Sequence, residues 1–272
     1  MAWNIMAMYF SPTRTTQKVV HKIAEVLAEK INNDHAIQIE DFTLPGARAK
    51  ITKFTESDIV IVGVPVYAAR VPNVLLKHLQ SITGNGALAI AVTVYGNRNY
   101  DDALIELYDI LTVDGFKVVA AGAFIGEHSF SKTLAAHRPD TNDLEIAETF
   151  AKQITEKIIC QKDFQAPAVK GNRPYRYYYI PKDTQNNPVD IRKVKPKTND
   201  ACTNCLKCVS VCPMGSIRKE NVKMVEGICI KCGACVKICP VQAKYYDDAS
   251  YLYHKEELEV NFSCRKEPEV FL

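Results

Sequence analysis

The sequence predicts a doubly wound α/β domain built on a five-stranded parallel sheet, followed by a small α+β module organised around cysteines. Two observations carry this prediction. Residues 1–160 alternate strand-length apolar runs with amphipathic helical runs, the pattern of a parallel sheet wrapped by helices. Eight of the ten cysteines then fall in two copies of one motif beyond residue 200, which sets that region apart as a second module.

Each element follows from its residues. AWNIMAMYF (2–10) is a near-continuous apolar run, as expected of a strand covered on both faces. TTQKVVHKIAEVLAEK (15–30) places Val19, Val20, Ile23, Ala24, Val26 and Leu27 at helical spacing. HAIQIEDF (35–42) reads as a second strand with partial alternation, and DIVIVGV (58–64) as a third. PNVLLKHLQSI (72–82) opens a helix with Pro72 in its first turn. ALAIAVTVY (87–95) gives a fourth strand, YDDALIELYDILTVDG (100–115) a helix, and FKVVAAGAFIG (116–126) a fifth strand. DTNDLEIAETFAKQITEKII (140–159) closes the domain as a helix, with Thr141 or Asn142 as its cap. A strand order of 2-1-3-4-5 is expected by analogy with doubly wound folds.

Composition narrows the function classes. A net charge of +3 is too small to make nucleic acid or an anionic membrane the main partner. The longest apolar stretches are strand-length, well short of the roughly 20 residues of a membrane helix. The N-terminus lacks the basic segment and cleavage site of a secretory signal, so a cytoplasmic location is expected. Residues 1–159 contain no cysteine, which argues against a secreted disulfide framework.

Residues 161–198 read as a linker and 247–272 as a C-terminal tail. The stretch 165–200 holds five of the thirteen prolines and eight Lys/Arg against three Asp, consistent with an extended, solvated segment. RPYRYYYIP (173–181) points elsewhere, because five aromatic or aliphatic side chains are costly to leave in water. That segment is expected to pack across the interface between the two modules.

The cysteine module, 199–246, carries CTNCLKCVSVCP and CIKCGACVKICP, both C-x2-C-x2-C-x3-C-P. A cubane cluster needs four thiolates converging from different directions. Two short steps let a tight loop deliver three of them, while the cysteine before the proline serves the other cluster of the pair. One [4Fe-4S] cluster therefore takes Cys202, Cys205, Cys208 and Cys239, and the second Cys229, Cys232, Cys235 and Cys212. A zinc ribbon would leave the C-x3-C-P ends unexplained. Cys160 and Cys264 read as ordinary thiols. The module resembles bacterial two-cluster ferredoxins, but it is basic where many of those are acidic, which puts the usual basic docking partner in doubt.

After the first strand comes YFSPTRTTQKVV (9–20), a hydroxyl-rich turn leading into a helix. Such a turn offers hydroxyls, free N–H groups and a helix N-terminus to a phosphate. GVPVYAARVP (63–72) and VYGNRNYDDA (94–103) follow strands three and four and place Tyr67, Tyr95 and Tyr100 at the crevice rim, where aromatics suit a planar ring. Ser11-Pro12-Thr13-Arg14-Thr15-Thr16, Val64-Pro65-Val66-Tyr67 and Tyr95-Gly96-Asn97-Arg98 are similar to the phosphate loop and ring loops of flavodoxins. With the cysteine motifs behind them, the chain resembles ferredoxin-fused flavodoxin-like proteins of anaerobes. That resemblance implies FMN as well as two [4Fe-4S] clusters. Ser11, Thr13, Thr15 and Thr16 would hold the phosphate. Arg14 stands where flavodoxins usually have glycine, either reinforcing the dianion or altering the loop. Pro65, Val66, Tyr67 and Ala68, with Tyr95, Gly96, Asn97, Arg98 and Tyr100, would line the isoalloxazine. His128, after strand five, is either a structural hydrogen-bonder or a flavin contact.

The function expected is electron transfer between FMN, the clusters and external redox proteins, with no catalytic acid or base. The alternatives are an FMN-dependent reductase of a small substrate fed by the clusters, and a ferredoxin with a flavin-free docking domain. No G-x-G-x-x-G follows any strand, so no nicotinamide site is evident.

Overall fold

A computed structural model describes residues 3–31, 36–160 and 164–272. Ala2 and His35, at the starts of the first two predicted strands, lie outside the described residues, as do 161–163 of the linker. The α/β domain runs β1 (Asn4–Tyr9), α1 (Thr15–Ile31), β2 (Gln38–Asp41), β3 (Asp58–Pro65), α2 (Asn73–Leu79), β4 (Leu88–Tyr95), α3 (Ala103–Val113), β5 (Lys117–Ile125) and α4 (Thr141–Cys160). The five strands pair in parallel in the order 2-1-3-4-5. Alternation along them divides the core. Met8, Val60, Val62, Ala89 and Ala91 face α2 and α3, while Ile5, Ala7, Ile59, Ile61, Ile90 and Val92 face α1 and α4. All but Ile5 are fully buried, and each Val or Ile contributes about 1.5–3 kcal/mol by leaving water.

Two helices are shorter than their apolar pattern. Pro72 sits before α2 as its N-cap, and the helix ends at Leu79 because Ser81 and Ile82 turn back on His78 and Leu79. α3 begins at Ala103, since Asp101 adopts positive φ and its amide donates to the Asn99 side chain. The cap of α4 is Asp140, not Thr141 or Asn142. Its Oδ1 accepts from the Asp143 amide while Asp143 Oδ2 accepts from the Asp140 amide, a reciprocal box.

The tail extends the fold. α7 (Ala249–Asn261) lies against the loops after β4 and β5, and β8 (Glu269–Phe271) pairs antiparallel with β5. The sheet thus has six strands, not five, and β8 covers the edge that β5 would otherwise present. The linker packs as well. Tyr175 and Tyr178 hold the Arg70 guanidinium at 4.6 and 5.1 Å from their ring centroids, and that guanidinium forms a bidentate pair with Glu106. Gly171 passes so close to α3 that a β-carbon would meet Ile105 Cγ2 at 2.2 Å. Tyr177 alone of the four tyrosines is left in water, 96 % exposed. The last linker residues form β6 (Lys197–Thr198), which pairs with β7 (Lys244–Tyr245) to close the cysteine module around the short helices α5 (Lys207–Ser210) and α6 (Ala234–Lys237).

Candidate functional site

The cysteines line two separate cavities. One, of about 330 Å³, is walled by Cys202, Cys205, Cys208 and Cys239. The other, of about 350 Å³, is walled by Cys212, Cys229, Cys232 and Cys235. The structure thus divides the eight thiols into the two sets that the spacing predicts, each motif lending its last cysteine to the other cavity. All ten cysteines are unbridged. Among the described residues no three His, Cys, Asp or Glu converge tightly enough for a single metal ion; the thiols are spread around the walls instead.

The motif repeats at an offset of 27 residues (Cys202 to Cys229), and the backbone repeats with it. Asn204 and Lys231, Leu206 and Gly233, and Gly215 and Gln242 take matching left-handed conformations. The amides of Ser216 and Ala243 donate to Cys212 Sγ and Cys239 Sγ at 3.4 and 3.1 Å. Burial pushes the Cys232 thiol up to about 12, and raises Cys235 and Cys208 as well. At Cys239 burial acts in the same direction, but the backbone N–H groups of Lys244, Ala243 and Val241 outweigh it and hold the thiol below its usual value.

The two cavities face different surroundings. The first cavity has an exposed thiol, Cys205, beside buried Cys208, whereas the second has buried Cys232 and Cys235 and no exposed thiol, so the first is the outer one and the second the inner. The inner cavity docks on the carboxyl edge of the sheet. Gly233 approaches so closely that a β-carbon would lie 2.3 Å from the Ser129 carbonyl oxygen. Lys237 pairs with Glu127 and donates to the carbonyls of His128 and Ser131 at 2.8 and 3.2 Å. On the far side Arg48 donates to the Pro213 carbonyl at 2.6 Å. Tyr67, in the loop after β3, lies within electrostatic reach of this cavity: burial first, then Cys232 and Cys229, push its hydroxyl well above the usual range.

The loops at this edge are conformationally special. Tyr67 and Arg70 exchange backbone hydrogen bonds across a tight turn whose centre, Ala68-Ala69, has positive φ at both residues. Pro65 ends β3, and the Val66 amide donates to the Val94 carbonyl at 2.9 Å. Gly96 admits His128 so closely that a β-carbon would stand 2.3 Å from its Cδ2. Burial lowers the His128 imidazole to about 3, so it is neutral, and its Nδ1 accepts from the Phe130 amide. Arg98 pairs with Asp101 at 2.6 Å and stacks on Tyr179 at 4.4 Å. The remaining ring-loop candidates are placed differently from the sequence expectation. Tyr95 and Tyr100 are not at the rim. They pack in the core beside α3, and the Tyr100 hydroxyl bonds to Glu269 of β8. The Asn97 side chain is taken by the tail: it donates to the carbonyls of Phe262 and Cys264 and accepts from the Lys266 amide.

In the turn after β1, Ser11 Oγ accepts from the Gln17 amide in the first turn of α1. Arg14 takes φ +64°, the left-handed backbone that favours glycine, and its side chain is exposed. Thr13 and Thr15 are half-buried beside it. Thr16 is buried, and its Oγ1 has no partner among the described residues. An orphaned hydroxyl at a helix N-terminus fits an anionic oxygen.

Several residues here escaped sequence reasoning. Tyr251, His254 and Leu258, buried on α7, sit at spacings of three and four, but the helix is otherwise mostly polar and its apolar face is faint. Lys244 lines the outer cavity and Tyr246 the inner one, and neither belongs to the cysteine motif.

Comparison with known proteins bears on both modules. Residues 195–240 match the model of the 4Fe-4S dicluster domain. The chain thus joins a doubly wound α/β domain of flavodoxin-like strand order to an iron–sulfur module. Among solved structures it is similar to a flavodoxin from the domain Archaea, at 15% identity over 57% of this chain and 99% of that one, TM-score 0.42. It is also similar to the flavodoxin of Streptococcus pneumoniae TIGR4, at 18% identity over 58% and 99%, TM-score 0.39. Rubredoxin oxygen:oxidoreductase from Desulfovibrio gigas matches at 21% identity over 57% of this chain and 36% of that one, TM-score 0.38. No curated protein matches the chain. Among the described residues no helix is long and apolar enough to cross a membrane.

Proposed function

We propose that this protein is an electron carrier that holds FMN at the carboxyl edge of its sheet and two [4Fe-4S] clusters in its thiol cavities, and relays electrons between them and external redox proteins. Bound there, the flavin supplies one- and two-electron exchange and the clusters single-electron exchange. The observation that carries the reading is the docking of the inner cavity against the loops after β3 and β5, through Gly233 on Ser129 and through Tyr67. A carrier needs its centres close together and shielded from water, and the docking of the inner cavity at this edge supports that reading.

The residues divide the task. Ser11, Thr13, Thr15 and Thr16 hold the phosphate, with Arg14 free to reach it from solvent. Pro65, Val66, Tyr67 and Ala68 bound the ring on one side, with Gly96 and His128 on the other. Asn97 and Arg98 act from behind by anchoring the tail and Tyr179. α7 lies over this edge, with Tyr251 and His254 packed on Phe130. Such a cover favours a carrier over a reductase of free small substrates, which would need an open ring face. The proposed division of the chain is 1–160 for the flavin domain, 161–198 for the linker, 199–246 for the clusters and 247–272 for the tail that covers the sheet's carboxyl edge.

Cofactor content of anaerobically purified protein tests the reading. The expected result is one FMN and about eight iron and eight sulfide per chain. Iron near four per chain refutes the two-cluster assignment, and absence of flavin after denaturation refutes the FMN assignment.

A further inference from the structure

Lys244 is 3 % exposed, and its side chain lines the outer cavity with Cys202, Cys205, Cys208 and Cys239. Among the described residues its Nζ pairs with no carboxylate; its hydrogen bond is to the Val222 carbonyl at 2.5 Å. Most lysines in and beside the cysteine module are in a different situation: Lys197, Lys223 and Lys237 pair with Asp247, Asp200 and Glu127, and Lys207 and Lys219 are in water. Lys231 is half-buried and donates to the carbonyls of Cys229 and Arg192 at 3.0 and 3.4 Å, outside the outer cavity. A buried ammonium without a counter-anion is costly, because one carbonyl dipole does not replace its hydration. The cavity it faces must therefore supply negative charge.

An iron–sulfur cluster held by four thiolates does so. It is anionic in both oxidation states and gains one further unit of negative charge on reduction. We propose that Lys244 is the internal counter-cation of the outer cluster and raises the potential of that cluster. This inference rests on the two-cluster reading above. Reduction adds one electron to the cluster, and no bond forms or breaks. A fixed positive charge stabilises the reduced state more than the oxidised one, which raises the midpoint potential.

The internal repeat supplies the comparison. At the 27-residue offset the counterpart of Lys244 is Ile217, an apolar residue that lines the inner cavity. The inner cavity is lined by Tyr246, whose hydroxyl lies 3.8 Å from Cys229 Sγ and whose ring stacks on Tyr251 at 4.3 Å, while the Lys231 ammonium sits outside it on the Cys229 carbonyl at 3.0 Å. Once Cys229 is a thiolate, the tyrosine is the donor. A neutral hydroxyl dipole acts on charge more weakly than a whole ammonium at similar range.

The test is a redox titration of holoprotein followed by electron paramagnetic resonance, with iron counted in each sample. Lys244→Met and Lys244→Gln should lower the midpoint potential of one cluster more than that of the other; Lys244→Arg should hold both near their wild-type values. Tyr246→Phe should lower the potential of the other cluster. Loss of about half the iron in the Met and Gln variants, with full iron in the Arg variant, supports the same charge requirement. About eight iron per chain with both potentials unmoved in the Met and Gln variants overturns the inference alone. So does a larger shift of the same cluster in both the Lys244 and the Tyr246 variants. Wild-type iron near four per chain overturns the two-cluster reading beneath it.

Discussion

Replacing Gly233 by alanine should loosen the cysteine module from the α/β domain. Gly233 has φ +73°, and a β-carbon there would stand 2.3 Å from the Ser129 carbonyl oxygen and 3.2 Å from its carbon. Left-handed backbone costs a residue with a β-carbon about 1–2 kcal/mol. Overpacking adds about 1–3 kcal/mol, since the obstacle is backbone and cannot rotate away. The expected loss is about 2–5 kcal/mol, and displacement of Gly233 should also weaken the adjacent pair of Lys237 with Glu127. Leu206, at the equivalent place in the first repeat, gives the control. It already has φ +61° and is only partly buried. Leu206→Gly relieves about 1–2 kcal/mol of strain but gives up a similar amount of apolar burial. The two terms should nearly cancel, leaving it close to wild type. Urea denaturation of anaerobic holoprotein, followed by cluster absorbance, reads both variants. A Gly233→Ala midpoint indistinguishable from wild type, or an equal loss in Leu206→Gly, would refute this account of the docking.

Three further outcomes are expected. Arg14→Gly removes a side chain from a left-handed position, φ +64°, and should gain about 0.5–1 kcal/mol after the added chain entropy of glycine; a lower thermal midpoint would show instead that the arginine side chain supports its loop. Asn97→Gly keeps its positive φ while removing the hydrogen bonds to Phe262, Cys264 and Lys266, so the loss of about 1–3 kcal/mol should appear with faster proteolytic cleavage of the tail; unchanged cleavage would count against the anchor. Burial lowers the His128 imidazole to about 3, so its contribution to stability is complete above the ordinary histidine value of about 6.5 and declines as pH falls toward about 3. Between pH ~6.5 and ~5 that loss is up to about 1.5 kcal/mol, and His128→Gln should flatten the dependence by that amount; parallel curves for the two proteins would contradict it.

Local pattern made much of this chain legible. A strand covered on both faces has to be continuously apolar, so β1, β3, β4 and β5 announce themselves in composition. Cubane ligation needs short, fixed steps between thiols, so C-x2-C-x2-C-x3-C-P encodes which cysteines share a cavity. Even the exchange of Cys212 and Cys239 between motifs follows from that spacing and is what the cavities show. Nothing local announces β8, three residues whose strand state depends on the free edge of β5, more than a hundred residues away. The same is true of α7, whose few apolar residues acquire a face only where Phe130 meets them. Tyr95 and Tyr100 read as rim aromatics because sequence marks the end of a strand but not which layer its last side chains enter; packing against α3 and β8 placed them in the core.

What the sequence determined by itself was the α/β sheet order's raw material, the two thiol sets and the turn that suits a phosphate, because each depends on neighbours a few residues apart. The tertiary structure decided which cavity is inner and which outer, that Gly233 must be glycine for the sake of Ser129, that the tail covers the sheet's carboxyl edge, and that Lys244 is buried with no carboxylate partner among the described residues. Those properties belong to pairs of segments brought together by burial, and no period or spacing within either segment encodes the meeting.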